Sequence, residues 1–354
     1  MFVLYAKSVR RLPNTTHMKL ALKMTPQRST QYTNMVETLA IPELLISPLC
    51  HAISSAEPLV LAGQGYVLAA LDDARLSSPD QLDVLYRLGA ISEVYEYFEC
   101  IGTVQGPLLR PLEPRFTPFV PREIVETRRY KGKTNELFTH VLLNIAIFSG
   151  GYSEQYWQRL RILDPLAGGA TTLFQALVMG HDTFGIEMTR HDVETTAVFV
   201  KQFLNSEHVH YKEIDEHRRK AGQRYQFEIG SKRDTRFLVL VHGDARDAEL
   251  HLREVPGGPR VHAIVGDLPY GIQHFGEITG LLSKSLAVWE GLLFPGGTLA
   301  LAWNATHIER AAMVEFVEHH SHLRVLNDPP YTQLAHTVDR VIKKRDVVVG
   351  VKSS

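Results

Sequence analysis

Four short apolar runs, RIL, FGI, FLVLV and VHAIV, each lead at once or within two residues into an acidic side chain: Asp164, Glu187, Asp244 and Asp267. Between them lie segments with helical spacing, such as TTLFQALVMG and the stretch ending at Phe203. Runs this short and this continuously apolar suit strands buried on both faces, and helical segments between them supply the crossovers that parallel strands need. GTLALAWN and the tail LRVLND…RDVVVGV bring the strands to seven. The predicted fold is therefore α/β, a doubly wound seven-stranded Rossmann-like sheet.

Ahead of this lies a smaller mixed α+β region. IPELLISPL reads as helix, GYVLAALDD as strand, and PDQLDVLYRLGAISEVYEYFE as a helix, a Leu-Gly break and a second strand. Prolines 107, 111, 114, 118 and 121 impose extended backbone, which predicts a linker. The expected division is residues 1–106, a linker over 107–125, and a second domain over 126–354.

Composition narrows the function. A net charge of −1 offers no global positive field, so any nucleic-acid contact must be local. Two cysteines, Cys50 and Cys100, are too few for a cysteine-rich metal site or a disulfide framework and fit a reducing, cytoplasmic setting. The 17 histidines show no ligand spacing, so no metal is expected. The apolar runs fall short of the ~20 residues a membrane span requires. Residues 1–36 carry six basic and no acidic side chains, a balance like that of an organellar transit peptide; a basic segment leading into the first domain is the alternative.

The chemistry concentrates at the strand ends. In LDPLAGGATT an acid closes the strand, Gly168 and Gly169 let backbone approach a ligand, and the following helix start presents free amides. A pyrophosphate loop needs Gly-x-Gly-x-x-Gly, so a smaller anionic group such as a carboxylate fits better. Glu187 stands where an acid can hold both ribose hydroxyls, and Asp244 where it can accept from an adenine amino group. Each acid alone could be a helix cap or a surface turn. Three at successive strand ends describe a pocket for adenosine with an amino-acid tail. Asp267-Leu268-Pro269-Tyr270-Gly271 then sets a carboxylate, a rigid proline and an aromatic face beside that pocket, a set suited to a flat ring bearing an amino group.

These motifs, in this order, resemble those of class I S-adenosylmethionine-dependent methyltransferases. DPLAGGATT and DLPYG are similar to the tRNA guanine-N2 group often found with THUMP domains. The resemblance covers residues 126–354 and is faint before them. It implies catalytic roles for Asp267, Leu268, Pro269 and Tyr270. It implies cofactor contacts at Asp164, Ala167, Gly168, Gly169, Thr171, Glu187, Asp244 and Ala245, with Thr134 and Asn135 in a segment, KGKTNELFTHVLLNIA, that helps seat the cofactor. The implied cofactor is S-adenosylmethionine, and the implied partner is tRNA or another nucleic acid. The implied assembly is a monomer or homodimer, with room for a small activating partner protein.

The tetrapeptide departs from the common Pro-Pro-Tyr spelling at Leu268, which the guanine-N2 group tolerates. DNA amino-methylation on adenine N6 or cytosine N4 remains an alternative, as does a binding subunit without turnover. Asp328-Pro329-Pro330-Tyr331 spells the common motif better, yet it follows the sixth strand, which belongs near a sheet edge. A rigid turn is the expected role there. Two basic segments remain: residues 110–133, where seven cations face three acids, and an insert over 208–236 that reads as a phosphate grip or as a self-neutralised hairpin. Trp289 and Trp303, in apolar surroundings, are expected in the core.

Overall fold

The computed structural model of the chain describes residues 17–26, 35–76, 78–130, 132–214, 223–269, 275–338 and 343–353. It contains two sheets. The first has five strands: β1 (His17–Met24), β2 (Ile53–Leu61), β3 (Gln64–Asp72), β4 (Ile91–Ile101) and β5 (Val104–Pro111), in the order β2-β3-β1-β4-β5, all antiparallel. Helix α1 (Met35–Ile46) packs on one face, and Pro79–Arg87 winds as 3-10 turns where the sequence predicted a helix. β5 takes in Pro107 and Pro111, so the first sheet reaches into the proline-rich stretch, which then runs irregularly to α2 (Glu123–Thr127).

The second sheet is built on β6 (Arg161–Asp164), β7 (Asp182–Glu187), β8 (Tyr211–Ile214), β9 (Arg224–Ser231), β10 (Asp234–His242), β11 (Val261–Asp267), β12 (Leu293–Asn304), β13 (Arg324–Val325) and β14 (Arg345–Val351). Its order is β13-β14-β12-β11-β6-β7-β10-β9-β8. All the predicted strands are present, and among the described residues the sheet has nine strands where seven were expected. The added pair, β8 and β9, comes from the insert, and β9 joins β10 in an antiparallel hairpin. The insert thus forms the hairpin that was one of its two expected readings, and RYQFEIGS seats it in the sheet through a period-two pattern with Phe227 and Ile229 wholly buried.

β10, β7, β6, β11 and β12 run parallel, and β14 is antiparallel to β12. From β6 the chain moves outward to β7 and β10, then returns to the other side of β6 as β11. The C-terminal ends of β6 and β11 therefore flank a topological switch point, where ligands of open α/β sheets gather. Helices α3 (Glu136–Phe148), α4 (Thr171–Val178) and α5 (Arg190–Ser206) cover one face; α6 (Ala248–Leu252), α7 (Phe275–Leu292) and α8 (Arg310–His320) cover the other. Strand residues alternate between two cores. Ala300 and Ala302 of β12 face the α3 side, whereas Leu299, Leu301 and Trp303 face the α7 side. Trp289 and Trp303 are both core residues.

The first sheet shares the α3 core, where Leu20, Leu39 and Val67 join Val141, Ile145 and Val347. Glu43 of α1 is wholly buried at this junction. Its Oε1 accepts from Gly89 N at 2.8 Å and Asn144 Nδ2 at 2.7 Å, and its Oε2 from Ala90 N at 2.9 Å. Burial holds its pKa above the usual carboxylate value, against these three donors. One carboxylate thus ties α1, the turn before β4 and α3 together. Among the described residues no helix is long and apolar enough to cross a membrane.

Candidate active site

Asp164, Glu187, Asp244 and Asp267 stand at or just past the C-terminal ends of four neighbouring parallel strands, β6, β7, β10 and β11. Asp164 is 4% exposed. It accepts from Leu166 N at 2.9 Å and from the Thr172 hydroxyl. Burial pushes its pKa up to about 7, with the carboxylates of Asp267 and Glu187 adding to the rise. Ionising Asp164 is therefore costly until a cation stands beside it.

The loop after Asp164 turns sharply. Gly168 has φ +48° and Ala170 φ +69°, and Ala170 N-caps α4. Glu187 clasps this loop: its Oε2 accepts from Gly168 N at 2.9 Å and its Oε1 from Thr189 N at 2.7 Å. Asp244 caps the turn that follows β10, and the Arg246 guanidinium beside it holds its carboxyl below the ordinary value. Ala245 is buried, and its carbonyl accepts from Trp289 Nε1 at 2.9 Å.

Asp267 is 12% exposed, with each of its oxygens in a different state. Oδ2 accepts from the Thr134 hydroxyl at 2.7 Å and lies 3.8 Å from an Arg345 Nη2 on β14. Oδ1 is buried and has no hydrogen-bond partner among the described residues. Burial raises the pKa of Asp267, and Arg345 and Thr134 oppose the rise. Leu268 is buried, its amide bonded to Ala302 O at 2.9 Å, and Pro269 is exposed. Tyr270 and Gly271 lie outside the described residues. Thr134 thus belongs to the Asp267 cluster, while Asn135 caps α3 through Phe138 N at 3.1 Å.

Two further residues complete the loop. Tyr130 packs over Gly169 and bonds through its hydroxyl to Thr171 Oγ1 at 2.6 Å. Arg128, also buried, donates to Gly169 O at 3.0 Å and to the Thr196 hydroxyl. Gly169 is required by contact: a Cβ there would lie 2.2 Å from the Tyr130 ring. A Gly169→Ala variant should lose about 1–3 kcal/mol of stability as the ring is displaced, measured by urea denaturation. An unchanged midpoint would show that Tyr130 leaves the loop at no cost.

The second tetrapeptide, Asp328 to Tyr331, lies between β13 and β14 at the far edge of the sheet. Tyr331 OH bonds to Ser149 Oγ at 3.0 Å, a packing role at the end of α3. The basic run over 110–133 is largely engaged within the fold: Arg110 with Glu96, Arg115 with Asp80, Lys133 with Glu136. In the insert, Arg224 is buried and Arg236 bonds Asp234 and Gly180 O, while Arg218, Arg219 and Lys220 lie outside the described residues. Among the described residues no group of His, Cys, Asp or Glu is arranged to hold a metal ion.

The chain is similar to methyltransferases of known structure. TrmN from Thermus thermophilus aligns over 95% of this chain and 99% of its own, at 14% identity and a TM-score of 0.43. A methyltransferase homologue from Pyrococcus horikoshii covers 95% of this chain and 86% of its own, at 10% identity and a TM-score of 0.40. A Streptococcus mutans putative methyltransferase, solved in complex with SAH, covers 56% of this chain and 92% of its own, at 14% identity and a TM-score of 0.34. No family model and no curated protein sequence matches the chain. With scores this low, residue roles rest on the geometry of the site itself.

Proposed function

We propose that this chain transfers a methyl group from S-adenosylmethionine to an exocyclic amino group of a nucleobase, guanine N2 in tRNA. The observation that carries the reading is the set of four carboxylates at four adjacent strand ends, one of them buried with an unpartnered oxygen. Such a site has an excess of negative charge and accommodates a ligand that carries an ammonium and a sulfonium. Asp164 and the loop over Ala167 to Thr171 would hold the amino-acid end, Glu187 the ribose, and Asp244 with Ala245 the adenine. The cofactor, when bound, would supply a methyl group on a positively charged sulfur.

The amine is a poor nucleophile because its lone pair is delocalised into the ring. Asp267 Oδ1 accepts from one N–H and the Leu268 carbonyl from the other, which draws the lone pair out of conjugation. Thr134 and Arg345 fix Oδ2, so Oδ1 faces the substrate alone. As the methyl carbon bonds to nitrogen its bond to sulfur would break, leaving a neutral thioether, and positive charge would pass to nitrogen; Asp267 stabilises that charge and accepts the proton that nitrogen sheds. Alignment of the two reactants supplies much of the remaining acceleration. Tyr270 offers the base a stacking face, and the base must be unpaired or flipped out to reach it.

The test has two parts. Calorimetry with S-adenosylmethionine should show binding that tightens as pH rises through about 7, because Asp164 is protonated in the free protein below that value and ionises beside a cation. Incubation with labelled cofactor and either total tRNA or DNA, followed by nucleoside identification, should give N2-methylguanosine from tRNA. Label in DNA alone would assign amino-methylation of adenine or cytosine instead, and cofactor binding without label in either would leave a silent subunit.

A further inference from the structure

A second cavity, of about 470 Å³, opens at the opposite ends of the strands from the carboxylates. It lies by the starts of β7 and β10, about 20 Å from the methyl-transfer site along a six-residue strand. Five separate parts of the chain converge on it: Arg87 just ahead of β4, Phe116 to Phe119 from the proline-rich stretch, Trp157, Met179 and Gly180 ahead of β7, and the β9–β10 hairpin. The hairpin belongs to the insert, so two segments that the site does not use meet here.

Its lining joins flat rings to guanidinium groups. Arg87 stacks 4.4 Å above the Phe116 ring, and Arg236 stacks 4.7 Å above Phe119. Arg236 is tied to Gly180 O, Thr235 O and Asp234. Arg87 donates to Met179 O at 3.4 Å and forms no ion pair with a carboxylate among the described residues. Trp157, 62% exposed, presents its indole at the same opening. Gly230 lets the hairpin close on Phe119, since a Cβ there would lie 2.4 Å from Asp234 O and 2.8 Å from the Phe119 ring.

We infer that this cavity binds one unpaired nucleotide of a single-stranded RNA segment, the base against Trp157 and Phe116 and the phosphate on Arg87. Stacking on aromatic faces with arginine alongside is how single strands are held, and the volume falls within the usual range of small-ligand sites. The Ser231 and Thr117 hydroxyls and the Asp234 carboxylate offer donors and acceptors to the base edge. A phosphorylated peptide would use the arginines but leave the indole idle. That the RNA held here is the one methylated rests on the proposed function above.

Of the three tryptophans, Trp289 and Trp303 are buried, so quenching of intrinsic emission reports on Trp157. Titration with a single-stranded RNA decamer should quench that emission, and a Trp157→Leu variant should show no quench. By anisotropy of the labelled decamer, Trp157→Leu should bind roughly 5- to 150-fold more weakly, the loss of one base–aromatic stack. Arg87→Met should also weaken binding. Absence of quenching, or equal affinity in wild type and Trp157→Leu, overturns the proposal, as does quenching by a phosphopeptide that the decamer cannot displace. Calorimetric binding of S-adenosylmethionine should be the same in wild type and Trp157→Leu. Failure of the wild type to bind it would defeat the methyl-transfer reading and leave the quenching result standing.

Discussion

Replacement of Asp267 by Asn should lower methyl transfer roughly 10²–10³-fold, the loss expected when a preorganised charge-stabilising group is removed from a low-dielectric site. Cofactor affinity should change little, because the proposed ribose and amino-acid contacts lie on other strands. The amide keeps an oxygen, but rotation decides whether that oxygen or the NH2 faces Thr134 and Arg345. With the NH2 turned to the amine, acceptor and charge are both lost. Single-turnover kinetics on tRNA with calorimetry on the same variant separates the two effects. A variant that transfers methyl groups at the wild-type rate would remove Asp267 from the chemistry.

Glu43→Ala should be among the most destabilising single substitutions, at about 3–5 kcal/mol, the cost of several buried donors left unsatisfied. It strands three donors in a wholly buried position, the amides of Gly89 and Ala90 and the Asn144 side chain. Glu43→Gln should lose less, since it keeps the shape and one acceptor oxygen and misplaces only its NH2. Urea denaturation of both variants measures the difference. A loss below about 1 kcal/mol for the alanine variant would mean that water enters the junction and satisfies the donors.

Asp164, Glu187, Asp244 and Asp267 were legible because strands buried on both faces write continuous apolar runs, and an acid that ends such a run stands out. The sheet order follows from the same pattern with short right-handed crossovers. Tyr130 and Arg345 were not legible. Tyr130 acts 41 residues before its Thr171 partner, and Arg345 reaches Asp267 from an antiparallel strand late in the chain, so neither leaves a local mark. Glu43 read as one more polar helix residue, because its partners belong to a turn and a helix far along the chain. Trp157 drew no notice for the same reason: its neighbours in the cavity come from distant segments.

The hairpin that widens the second sheet also changes what the molecule shows to its surroundings. Without β8 and β9, the nine-residue β10, with its core of Leu238 to Val241, would form the sheet's open margin. A long apolar margin invites pairing with another copy of the chain. Among the described residues the margin is instead β8, four residues long, with Lys212 and Glu213 exposed at its centre. A short charged strand makes a poor template for further pairing, so the insert shields the sheet against self-association in a crowded solution.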